Sequence, residues 1–219
     1  MSATQFSDRT VAEIAAALPG STAVFRKHKL DFCCGGGARL EDAASARGLS
    51  LPALEAELGA LVMPAEGGVP ASSAELIALI QTRYHEVHRR ELPELVRLAR
   101  RVEAVHRDKP DCPHGLADLL ETMAAELEDH MQKEEQILFP MMARGGAPMI
   151  GQPISVMRHE HDNHGEHLRA LAALTNDATP PDGACNTWRA LYAGIRKLED
   201  DLMQHIHLEN NVLFPRFGA

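Results

Sequence analysis

The sequence predicts an all-α protein: a small N-terminal helical module followed by an up-down-up-down four-helix bundle. Three observations predict it. Beyond residue 73, apolar residues recur at spacings of three and four over four long stretches, and no stretch sustains the period-two alternation of a strand. The breaks between those stretches, "RDKPDCPHG", "RGGAPMIGQ" and "NDATPPDGA", are short and rich in turn formers. Residues 63–73, "MPAEGGVPASS", have no apolar period and read as a linker. The resulting domains are 1–62, a linker 63–73, and 74–219.

In the first module, "TVAEIAAAL" opens with Thr10 and Glu13 at capping-box spacing, and Val11, Ile14, Ala15 and Leu18 share a face. Gly48 ends a second helical pattern at 38–47, and Ser50 can cap a third at 51–62. Between the first and second patterns lies "LDFCCGGGARL", with Cys33 and Cys34 side by side. Adjacent α-carbons lie about 3.8 Å apart, below the roughly 4.4–6.8 Å of a relaxed disulfide, so the pair is read as thiols. The three glycines are expected to let this loop turn tightly or take positive φ. Cys112 and Cys185 sit alone in turn-like stretches, which gives no disulfide framework. The N-terminal stretch lacks a basic region followed by an apolar core, and no apolar run approaches the roughly 18 residues of a membrane span. These features point to a reducing cytoplasm. A net charge of −9 and few aromatic residues argue against a nucleic-acid partner.

The four bundle helices are predicted over 73–107, 114–143, 153–175 and 185–213. Eleven of the twelve histidines follow residue 84. Their order contains a repeat: "HMQKEEQILFP" (130–140) and "HIHLENNVLFP" (205–215) both read His-x-x-x-Glu-x-x-x-Leu-Phe-Pro. His85 lies 45 residues before His130, and His161 lies 44 before His205. Each helical hairpin thus offers one histidine followed by a His-x-x-x-Glu.

The core-facing seams show where these residues fall. In helix two the seam is Leu116, Leu120, Met123, Leu127, His130, Glu134, Ile137; in helix four it is Trp188, Leu191, Ile195, Leu198, Leu202, His205, Glu209, Val212. Helix one contributes Gln81, His85, His88, Leu92 and Leu95, and helix three Met157, His161, His164, Leu168 and Leu171. A histidine alone on such a seam is ordinarily a satisfied core residue. A glutamate is different, because burying an unpaired carboxylate costs several kcal/mol. With no Lys or Arg on the seam at that level, a metal is the economical counter-charge.

Six nitrogen and oxygen donors, His85, His130, Glu134, His161, His205 and Glu209, exceed what one tetrahedral zinc needs and suit two irons sharing both carboxylates. Manganese, mixed metals and an oxo bridge stay open, as does a place in the coordination shell for His88 or His164. "HEHDNH" (159–164) has metallo-hydrolase spacing but lacks the strands that fold requires. His106 lies 21 residues past His85, about 31 Å along an unbroken helix, and is read as a helix-end residue unless Pro93 redirects the chain.

These patterns resemble the hemerythrin-like domain, and the whole chain is similar to the bacterial repair-of-iron-centres di-iron proteins. The stretches that carry the resemblance are "DFCCGG", "RYHEVH", "HMQKEEQILFPMM", "PISVMRHEHD" and "DLMQHIHLENNVLFP". The resemblance implies two non-haem irons on His85, His130, Glu134, His161, His205 and Glu209, with the glutamates bridging. It also implies a stress protein that restores iron–sulfur clusters damaged by nitric oxide or peroxide by supplying iron. The expected partners are damaged or apo iron–sulfur proteins and small molecules such as NO or O2. Rival readings are a di-iron nitric oxide or peroxide reductase, or an O2/NO sensor. Cys33 and Cys34 are either a transfer or redox station or two packed thiols. A linker of 11 residues reaches on the order of 20 Å, which leaves a homodimer open.

Overall fold

The computed structural model describes residues 6–18, 20–61, 70–146 and 148–218. Most of the expected linker, residues 63–69, lies outside these. Among the described residues the secondary structure is helical, with one isolated antiparallel bridge between Thr10 and Arg39. The chain forms two compact units, one from its start to Leu76 together with Met203 onward, the other from Ile77 to Leu202.

The smaller unit holds α1 (Val11–Ala17), α2 (Ser21–Lys27), α3 (Leu40–Ala46) and α4 (Leu51–Gly59). The Thr10 hydroxyl accepts the Glu13 amide at 3.1 Å and the Glu13 carboxylate accepts the Thr10 amide at 2.8 Å, closing the capping box. Ser50 caps α4 through the Ala53 amide. The short helix α2 carries no sequence pattern long enough to announce it. Its Phe25 joins Val11, Ile14, Phe32, Leu40, Leu54 and Leu58 in one buried cluster, with Met203 against it.

The larger unit contains α5 from Ile77 onward (Ser73–Ile80 in all), then α6 (Glu86–His106), α7 (Leu116–Lys133), α8 (Phe139–Ala143), α9 (Gly151–Thr175) and α10 (Asn186–Leu208) as far as Leu202. Ion pairs fix the up-down-up-down register. Arg89 to Glu128 and Arg100 to Glu121 run α6 antiparallel to α7, and Lys133 to Glu160 does the same for α7 and α9. Lys197 to Glu91 sets α10 against α6, where Gly194 lets the helices close: a β-carbon there would fall 2.5 Å from a Leu95 methyl. Pro93 lies within α6 without ending it, so His106 is its last residue.

Among the described residues there are three π-helical turns, Gln81–His85 and Glu134–Leu138 in the larger unit and Glu209–Leu213 in the smaller. Each either ends or begins on an expected metal ligand, whereas α9 runs without one. Such wide turns cluster at functional sites because one extra residue re-aims the side chains around it. They also correct the predicted seam. Ile137 is 54% exposed and Leu138 is buried, and Leu213 rather than Val212 is fully buried. The inserted residue moves the apolar position on by one.

Candidate metal centre

Four of the expected ligands come together within the larger unit. His85, Glu134 and His161 are fully buried, and His130 almost so. Glu134 turns one oxygen to each of two rings: Oε2 lies 3.4 Å from His85 Nε2, and Oε1 lies 3.5 Å from His130 Nε2. His161 Nε2 is 3.1 Å from His130 Nε2, and donor atoms of His130, Glu134 and His161 all lie within 4.8 Å of one another.

The rings are held from behind. His85 Nδ1 meets Glu135 at 2.7 Å and His130 Nδ1 meets Glu160 at 2.9 Å. Carboxylates only accept, so both Nδ1 atoms donate to them, which turns both Nε2 atoms toward the cluster. Arg89 in turn binds Glu135 at 2.8 Å, and Lys133 binds Glu160 at 2.7 Å. The hydrogen bond from His130, aided by Lys133, holds the Glu160 carboxyl down to about 2. Partial burial raises Glu135, but Arg89 and His85 outweigh it and keep that carboxyl low.

The donor set fits a metal. Imidazole nitrogens and carboxylate oxygens converge in a buried interior, a donor set suited to a divalent cation. The backing carboxylates Glu135 and Glu160 are each next in sequence to an expected ligand. Read from sequence, they pass for a solvated helix face.

His205 and Glu209 form a buried pair in the smaller unit, Nε2 to Oε1 at 3.1 Å. The same segment carries the contacts that hold the cysteine loop. His207 Nδ1 lies 3.3 Å from the Phe32 carbonyl, while the Asn210 and Asn211 amides donate to the Cys33 carbonyl at 3.3 and 3.4 Å. Burial pushes His207 down to about 4, so the ring is neutral near pH 7. Within the loop, Asp31 Oδ1 accepts the amides of Cys33 and Cys34 and lies 3.3 Å from Cys33 Sγ, and the two sulfurs are 3.7 Å apart as free thiols. The contact with Cys34, burial and the Asp31 charge push the Cys33 thiol well up. None of Gly35, Gly36 and Gly37 takes positive φ. Gly36 is required for space: a β-carbon would fall 2.7 Å from the Phe32 carbonyl oxygen and 2.8 Å from Ala12 Cβ.

The remaining candidates fall outside the cluster. His106 Nε2 is 3.2 Å from Cys185 Sγ and its ring packs on Trp188. His88 is buried beside Tyr84, and His164 lies edge-on to the His130 ring at 5.2 Å, grouped with Glu126 and His167.

A helical bundle whose interior turns buried imidazoles and a carboxylate toward one another is a non-haem metal protein of the hemerythrin class. Residues 77–217 match the family described as "Hemerythrin HHE cation binding domain", and residues 7–62 match a "Domain of Unknown function (DUF542)". The chain is 51% identical over 214 residues to the iron-sulfur cluster repair protein YtfE of Dickeya chrysanthemi, covering 96% of this chain and 97% of that one. It is 50% identical, with the same coverage, to the proteins of that name from Pectobacterium atrosepticum and Yersinia pestis. The chain belongs to this YtfE family. Among the described residues, no helix is long and apolar enough to cross a membrane.

Proposed function

We propose that this chain is a cytoplasmic non-haem di-iron protein that repairs iron–sulfur clusters damaged by nitrosative or oxidative stress, giving up iron to them. The observation that carries the reading is the buried Glu134 carboxylate, each oxygen turned to a different imidazole, in a segment matching a cation-binding family. In this reading His85, His130, Glu134, His161, His205 and Glu209, all in the domain 74–219, hold two irons, and both glutamates bridge. The sequence repeat supports that set, since each hairpin supplies one histidine and one His-x-x-x-Glu.

Iron held by nitrogen and oxygen alone is open to competition from cluster thiolates. The protein's own part is to orient the rings through Glu135 and Glu160 and to keep water from the interior. The recipient is a damaged or apo iron–sulfur protein, and NO and O2 are the small molecules the centre meets. Cys33 and Cys34 serve as a soft station for the transferred ion. A cation arriving there displaces the Cys33 proton, because that thiol is protonated at neutral pH.

The test is metal content per chain, for wild type and Glu134→Ala/Glu209→Ala, followed by incubation with an apo iron–sulfur protein. Two irons per chain, absent from the double variant and passed once to the apo-protein, is the expected result. Sustained turnover of NO or peroxide with a reductant and no iron transfer would replace repair by an enzyme. Zinc, or no metal, would overturn the di-iron reading.

A further inference from the structure

We infer that Glu126, His164 and His167 form a separate binding site for one divalent transition-metal cation, on the solvent side of the His130–His161 cluster. His164 and His167 lie three residues apart on α9, hence on one face, and Glu126 meets them from α7. One donor atom from each lies within 4.8 Å of the others, with His167 Nδ1 3.5 Å from Glu126 Oε2. Two imidazoles and a carboxylate, with positions left over, are a donor set suited to such a cation.

The internal repeat supplies the comparison. Aligning His130 with His205 and His161 with His85 pairs Glu126 with Asp201, His164 with His88, and His167 with Glu91. In that second copy a cation is already built in. Lys197 lies 2.6 Å from Glu91 and 2.8 Å from Asp201. The residue aligned with Lys197 is Thr122, whose hydroxyl donates to the Asp118 carbonyl of its own helix. So one copy of the cluster contains an ammonium, while the other replaces the lysine by threonine and a carboxylate by imidazole. A metal ion takes the ammonium's place in the second case.

Exposure grades along the site. The Glu126 side chain is 49% exposed and that of His167 is 22%, while His164 is buried 5.2 Å, centre to centre, from the His130 ring. A cation here stands between water and the cluster.

The test is anaerobic titration of the metal-loaded protein with Co2+, following visible absorption and counting iron and cobalt per chain. Wild type is expected to take one cobalt beyond its resident metal, without losing iron. Glu126→Gln, His167→Ala and Thr122→Lys, the last restoring the ammonium of the other copy, are each expected to weaken that uptake at least tenfold. No added cobalt in wild type, equal uptake in all four proteins, or cobalt gained only as iron is lost would each overturn the proposal. Absence of iron from the purified protein would instead strike the di-iron reading, and cobalt uptake at Glu126 would still be judged by the three variants.

Discussion

At the scale of single residues, the site depends on side chains that do not face the metal. Glu135 and Glu160 fix which imidazole nitrogen carries the proton and where each ring points. Glu135→Gln and Glu160→Gln are each expected to lower metal affinity roughly 10- to 100-fold, read by competition with a chelator. An unchanged affinity would mean that packing alone orients the rings. Gly36 is a second case, where space and not backbone angle decides. Gly36→Ala pushes on the Phe32 carbonyl and on Ala12, both poorly movable, and is expected to destabilise the smaller unit by about 1–3 kcal/mol. Denaturant unfolding checks it, and a neutral result would show that the loop can yield.

Element by element, the seams were readable because burial repeats at helical spacing, and they carried His85, His130, Glu134, His161, His205 and Glu209 with them. The π-helical turns were not readable. Nothing in "EEQIL" or "ENNVL" distinguishes an i→i+5 turn from an ordinary one, because tertiary placement of the glutamate selects it. Glu135 and Glu160 escaped for a related reason, since a carboxylate one residue from a ligand looks like part of a polar face. Helix α2, at seven residues, is too short to show a period. The wide turn yields a prediction opposite to the sequence pattern. Ile137→Asp, at an exposed position, is expected to change stability by under about 0.5 kcal/mol, whereas Leu138→Ala should cost about 2–5 kcal/mol. Thermal unfolding of the pair decides it; a costly Ile137→Asp would mean the turn is absent.

Taken as a whole molecule, stability should depend on both metal and pH. A ligand present at 1,000 times its Kd adds about 4 kcal/mol, so stripping the metal is expected to lower Tm by on the order of 10 °C. A Tm indifferent to chelation would mean that the cluster is preformed without an ion. Acid sensitivity has a second source in Asp201. Burial raises it, but hydrogen bonds from Arg83 and Lys197 outweigh this and hold its carboxyl below the ordinary value. The unfolded chain binds the proton more readily, so this stabilisation is full above about pH 4 and is lost as pH falls further. Asp201→Asn should flatten that part of the pH–stability curve, and an unchanged curve would assign acid unfolding to other carboxylates.

The contact between His207 and Phe32 spans 175 residues of sequence. On the ribosome, at roughly 5–20 residues per second, the Cys33–Cys34 loop therefore emerges many seconds before the segment that docks it. Its thiols pass that interval without the Asn210 and Asn211 amides on the Cys33 carbonyl. A nascent chain stalled before His207 is where these two sulfurs are most open to oxidants and alkylating agents; in the folded chain Cys33 is buried, while Cys34 stays half-buried.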